Sequence, residues 1–134
     1  MTDLMTPPRN AVISPSGPVW LNEDGIIITI TTATYQGLED AKENMEYNKK
    51  IAAGKSRPLL VDMSMVRSIS KEAREEYVKE IDEPFVTAVA LLTRSSVSRM
   101  VGNFFIGLNH TTVPAKLFTD PEKAREWLLQ YLVK

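Results

Sequence analysis

The sequence predicts an α/β domain: a mainly parallel sheet, an N-terminal antiparallel hairpin at its edge, and four helices. Three observations carry this. An Asp24-Gly25 turn joins two runs rich in β-branched and aromatic residues. After it, short apolar runs alternate with segments of helical periodicity, the pattern of parallel strands joined by right-handed crossovers. Two of those runs, Leu59 to Met63 and Val86 to Leu92, lack period-two alternation, as strands covered on both faces do.

The elements follow in chain order. Residues 1–18 contain Pro7, Pro8, Pro15 and Pro18, and read as an extended tail with a short edge strand at Ala11–Ser14. Residues 19–134 read as a single domain. The hairpin runs from Val19–Leu21 through Asn22–Gly25 into Ile26–Thr32. In its second arm Ile26, Ile28 and Ile30 point one way and Ile27, Thr29 and Thr31 the other, so one face is expected to be buried and the other only partly. Leu38, Ala41, Met45 and Ala52 form a helical stripe over Leu38–Ala53, and Gly54 is a natural stop. Asn44 and Asn48 border that stripe one turn apart, placed either to read a ligand or to meet solvent. Ser70 is the expected N-cap of a second helix, Lys71–Glu83, with Ala73, Tyr77 and Ile81 inside and Pro84 ending it. A third helix is expected over Val97–Asn109, then a strand at Ala115–Phe118. The fourth helix opens on Thr119-Asp120-Pro121-Glu122, where Thr119 and Glu122 suit a capping box. Its core stripe is Ala124, Trp127, Leu128, Tyr131 and Leu132.

Composition narrows the chemistry. A chain of 134 residues, 43% hydrophobic and 25% charged, has the make-up of one globular domain. Its 16 basic and 17 acidic residues leave no basic field for nucleic acid. The absence of cysteine excludes disulfides, thiolate metal sites and a cysteine nucleophile, and favours a cytoplasmic setting. The first ten residues lack the pattern of a targeting segment, and no apolar run reaches the ~20 residues that span a bilayer. No phosphate loop, nucleophile elbow or metal-spaced cluster occurs, so no cofactor or metal is expected. The single histidine, His110, has no sequence partner that would make it a base.

In such sheets ligands favour the carboxyl ends of strands and the N-termini of helices. Two loops lie there: Asp62 to Lys71, and Thr93 to Arg99. Ser64, Ser70, Lys71, Arg94, Ser95, Ser96 and Arg99 are the groups that would hold a phosphate or carboxylate. The alternative is that Ser70 and Ser95 or Ser96 cap helices while the cations are solvated. Asp62 is placed to be an acid, a base or a metal ligand, or else a hydrogen-bonded structural carboxylate. In the third helix Val97, Met100, Val101, Phe104, Phe105 and Leu108 cover a wide arc, with Ile106 nearly opposite. So apolar a helix is either wedged between sheet and fourth helix or offers a surface, with Phe104 or Phe105 reaching a second subunit or an apolar ligand.

Leu60-Val61-Asp62-Met63-Ser64-Met65-Val66, leading to a serine-bearing helix start, resembles the STAS domain of anti-sigma factor antagonists. The runs Glu23-Asp24-Gly25-Ile26, Leu38 to Asn44, Ser70 to Arg74 and Asn103 to Asn109 resemble bacterial SpoIIAA-like proteins. The resemblance covers Val19 to Val133. It implies a SpoIIAA-like fold and a non-enzymatic regulatory module acting through protein–protein contacts. The sequence departs from the antagonists at the start of the second helix, where they carry Asp-Ser-Ser/Thr-Gly with a phosphoacceptor serine. Here the stretch reads Ser70-Lys71-Glu72-Ala73, leaving Ser68 or Ser70 as the substitute. SpoIIAA-like proteins are also similar in fold to lipid-carrying CRAL-TRIO domains. That implies an alternative, a carrier or sensor of an apolar ligand or lipid that touches membranes peripherally. A third reading is a small enzyme using Asp62 and the Arg94–Arg99 loop. The expected partners are a second copy of the chain, another protein or an apolar small ligand, and not nucleic acid.

Overall fold

The hairpin turn forms where Asp24-Gly25 allows it. Gly25 takes φ 93°, and Asn22 Oδ1 accepts from the Asp24 and Ile26 amides at 3.0 and 2.9 Å. In the computed structural model residues 4–81, 85–108 and 113–133 are described, with the backbone alone at 80–81 and 104–108. Strands β1 (Val12–Ser14), β2 (Gly17–Leu21) and β3 (Ile27–Ile30) form an antiparallel meander, with Trp20 opposite Ile28. Gly17 takes φ 133° at the β1–β2 corner, where a Cβ would strike the Ile30 carbonyl oxygen.

A two-residue strand, β4 (Tyr35–Gln36), leads into helix α1 (Leu38–Ala52). Strand β5 (Arg57–Asp62) then pairs parallel to β3. A second two-residue strand, β6 (Ser68–Ile69), lies parallel to β4, and helix α2 (Lys71–Ile81) follows it. Strand β7 (Val86–Leu92), helix α3 (Ser96–Leu108), strand β8 (Ala115–Phe118) and helix α4 (Pro121–Leu129) complete the chain. The main sheet has the order β1-β2-β3-β5-β7-β8, parallel from β3 onward.

Each step from β3 to β5 to β7 to β8 moves the same way across the sheet. Right-handed crossovers therefore place α1, α2 and α3 on one face. That side buries Val19, Ile27, Leu59, Val89 and Leu91 with Met45 and Ala52 of α1. Helix α4 turns back onto the other side, where Ala124 and Leu128 meet Trp20, Ile28, Leu60, Ala90 and Leu92. Among the described residues no helix is long and apolar enough to cross a membrane.

The edge strand expected at Ala11–Ser14 forms as β1, and Met5 joins the α4-side cluster. Three expectations change. Both faces of the second hairpin arm are buried, because α1 covers Ile27, Thr29 and Thr31 while α4 covers Ile26 and Ile28. Helix α4 is capped by Asp120, whose carboxylate accepts from the Glu122 amide at 3.0 Å, instead of by Thr119. Strands β4 and β6 were not expected at all. The expected ends of the second and third helices, Glu83 and Asn109, lie outside the described residues, as do Pro84 and His110.

Candidate functional site

At the carboxyl edge of the parallel strands, between the sheet and helices α1 and α2, lies a cavity of about 60 Å³. Its floor is apolar: Leu59 and Val61 of β5, Val89 and Leu91 of β7, and Met63 just beyond β5. Its upper wall is formed by Asn44 and Asn48 of α1, Tyr77 of α2, Gln36 of β4 and Thr31, which turn mostly apolar surface to it. The wall depends on the small β4–β6 sheet. The Ser70 amide donates to the Gln36 carbonyl at 2.9 Å and the Arg67 amide to the Thr34 carbonyl at 2.7 Å. These bonds fix Gln36 one residue ahead of the α1 cap, Gly37, whose amide donates to Asp40 Oδ2 at 2.8 Å.

The polar groups form a chain. Asn44 Nδ2 donates to the Tyr77 hydroxyl at 3.2 Å, and that hydroxyl donates to Gln36 Oε1 at 2.8 Å. Burial pushes the Tyr77 phenol up to about 12, against the opposing effect of the Asn44 hydrogen bond. Nearby, the Thr29 hydroxyl donates to Asn48 Oδ1 at 3.0 Å. Gln36 is 1% exposed and Asn44 4%. Yet among the described residues Gln36 Nε2 and Asn44 Oδ1 have no hydrogen-bond partner. Buried polar groups are nearly always paired, so a free donor and a free acceptor on residues beside one cavity are an exception.

Sequence reasoning placed Asn44 and Asn48 beside the α1 stripe and Tyr77 inside α2, with solvent as one reading of the asparagines. The structure buries both: Asn44 meets Tyr77 of α2, and Asn48 turns to Thr29 of the sheet. Gln36 was missed: a two-residue strand has no periodicity to betray it.

The loop residues singled out from sequence gather in part. Asp62 Oδ1 accepts from the Ser64 amide at 3.0 Å, and Arg94 Nη2 lies 3.8 Å from Asp62 Oδ2. The Arg94 amide donates to Ser64 Oγ at 3.1 Å, and Ser95 Oγ donates to the Ser64 carbonyl at 3.2 Å. Ser95 also caps α3, accepting from the Ser98 amide at 3.1 Å. These groups satisfy one another and tie two loops together. Ser70 stands apart as the cap of α2, its Oγ accepting from the Ala73 amide at 3.0 Å. Lys71 is an exposed side chain 4.0 Å from Glu75. Ser96 and Arg99 are exposed on α3. The side chains of Phe104 and Phe105 lie outside the described residues.

Sheet order, crossovers and helix placement make this a SpoIIAA-like α/β domain. A solved protein from Shewanella loihica PV-4, described as an uncharacterised DUF3478-family protein with a SpoIIAA-like fold, matches it with TM-score 0.53. That protein is 18% identical, over 82% of this chain and 90% of its own, and the likeness is one of fold. A protein with unknown function from Arthrobacter sp. FB24 is 28% identical over 87% of this chain and 95% of its own, with TM-score 0.33. No curated protein matches. The model of a domain of unknown function, DUF7793, matches residues 19–132, and the chain belongs to that family.

Proposed function

We propose that this chain is a non-enzymatic binding module whose ligand is a small molecule held between α1, α2 and the sheet. The observation that carries this is an apolar cavity bordered by Gln36 and Asn44, whose Nε2 and Oδ1 are buried and without partners among the described residues. Apolar space beside a few polar side chains is where small ligands are held. The chemistry of the wall favours binding over catalysis. It consists of carboxamides, a threonine hydroxyl and a phenol pushed up to about 12, a poor acid or base at neutral pH. The mutual bonding of Asp62, Ser64, Arg94 and Ser95 favours a structural role for that cluster. The cavity's size weighs against a lipid carrier. At ~10–15 Å³ per water, 60 Å³ holds about four to six waters, far short of an acyl chain.

The test is a small-molecule screen by two-dimensional NMR of the ¹⁵N-labelled chain. Binders are expected to shift the side-chain amide signals of Gln36, Asn44 and Asn48 and to leave the Trp127 indole signal, on the opposite side of the sheet, unmoved. Binders that all map to the α4 side would overturn the proposal.

A specific observation also favours contact with another protein or a second copy, as the resemblance to antagonists implies. Val97 and Met100 of α3 are 39% and 71% exposed, and Met65 is 54% exposed. Sedimentation should then show association that Met100→Lys abolishes. A wild-type monomer that captures no protein would remove this reading.

A further inference from the structure

The cavity between α1, α2 and the sheet has space but almost no polar surface, and that combination selects for one kind of guest. Resting on the pocket reading above, we propose that its ligand is a compact, hydrocarbon-like molecule of about four to six non-hydrogen atoms that makes no hydrogen bond there.

The bordering polar side chains are turned to one another. Asn44 Nδ2 donates to the Tyr77 hydroxyl, which donates to Gln36 Oε1. Asn48 Oδ1 accepts from Thr29, and Asn48 Nδ2 lies 3.6 Å from Met45 Sδ. Gln36 Nε2 and Asn44 Oδ1 are inaccessible, so neither can reach a guest. The surface facing the cavity is therefore almost wholly apolar, and no charged side chain lines it. A polar or ionic group placed there would lose its water and gain no partner.

The space is also larger than ordinary packing leaves. Protein interiors hold few voids bigger than one water, whereas about 60 Å³ has room for about four to six. An apolar void stays dry, and its lining lacks contact atoms on one side. An apolar guest restores those contacts and breaks no hydrogen bond. Met45 and Met63, 2% and 3% exposed, both line the cavity, and their unbranched side chains can shift to fit such a guest. The place is that of a ligand site, since the cavity lies at the carboxyl edge of the parallel strands, beside Thr31, Met63 and Leu91.

The experiment uses three five-membered rings that differ at one atom: cyclopentane, tetrahydrofuran and pyrrolidine, the last protonated at neutral pH. Each is titrated into the full chain carrying ¹³C at its methionine methyl groups, and xenon under pressure serves as a smaller apolar probe. Cyclopentane and xenon are expected to shift the Met45 and Met63 signals and leave those of the exposed Met65 and Met100 unmoved. Cyclopentane should show nuclear Overhauser contacts to the Met45 and Met63 methyl groups. It should bind at least about ten-fold more tightly than tetrahydrofuran, and pyrrolidine should not displace it. All of this is read on the wild-type chain, so no variant has to fold. Equal or tighter binding of tetrahydrofuran or pyrrolidine at Met45 and Met63 would overturn the apolar assignment while leaving the pocket as a binding site. Cyclopentane and xenon shifts confined to Met65 and Met100, or no shifts from either, would overturn the assignment as well. The pocket reading falls with it only when the small-molecule screen also finds no binder at these residues.

Discussion

The Tyr77 hydroxyl reaches the side-chain carbonyl of Gln36, 41 positions earlier, at 2.8 Å. It is the joint between α2 and the small β4–β6 sheet, and Asn44 of α1 bonds to the same oxygen at 3.2 Å. Three elements that share no strand pairing with one another's helices thus meet at one phenol.

Tyr77→Phe should lower stability by about 1–3 kcal/mol in urea unfolding, because it strands the Gln36 and Asn44 groups now bonded to the hydroxyl. Replacing the whole chain with apolar groups, Tyr77→Phe with Gln36→Leu and Asn44→Leu, should recover most of that loss. A triple variant less stable than Tyr77→Phe alone would contradict the argument.

The same phenol sets an alkaline limit. Burial raises it from the ordinary 10 to about 12 in the folded chain. A folded value above the unfolded one means a stabilising contribution that is complete below pH ~10 and lost as pH rises toward 12. Ultraviolet titration of the four tyrosines should therefore show one ionising last, and Tyr77→Phe should remove that final step.

At the other end of the pH range, Asp24 and Arg125 tie the hairpin turn to α4 through bonds of 2.7 and 3.1 Å. The hydrogen bonds from Arg125 hold the Asp24 carboxyl below its usual value, against the opposing effect of burial. A lowered folded value means the contribution is present above the unfolded carboxyl value of ~3.9 and is lost as pH falls through the folded one. Both side chains are partly exposed, so Arg125→Met should cost about 1 kcal/mol at neutral pH. Below the folded value of Asp24 the difference between variant and wild type should shrink.

Gly102 lets α3 lie close over β8. A Cβ there would come within 2.7 Å of Leu117 Cδ2. Gly102→Ala gains about 1 kcal/mol of helix propensity and meets only the tip of the half-buried Leu117 side chain, which can turn aside at a cost of about the same size, so little net change is expected. In a Leu117→Ala background that contact is gone, and the same substitution should stabilise by about 1 kcal/mol. The difference between the two backgrounds, read by urea unfolding, is the check.

Much of the fold was legible because its signals are local. The stripe Ala41, Met45 and Ala52, the Asp24-Gly25 turn, the Ser70 cap and the apolar run of β7 each announce an element within a dozen residues. Burial of an apolar side depends on periodicity, and periodicity is written in the chain. The convergence of Asp62, Ser64, Arg94 and Ser95 was legible too, since parallel strands bring their carboxyl ends to one edge.

Local pattern in the chain therefore specifies the kind and order of the main elements, and composition closes off chemistries such as that of a thiol. Which polar side chains are enclosed is settled by packing alone. Asn44 looks the same in sequence whether it meets water or a cavity wall. It is buried because α2 crosses α1 at the height that brings Tyr77 onto it, 33 positions away. Gln36 sits on a strand of two residues whose partner, Ser68–Ile69, lies beyond a helix and a central strand. Such contacts depend on the rotation of each helix against the sheet. That rotation is set by the packing of all the layers at once, and no local pattern records it.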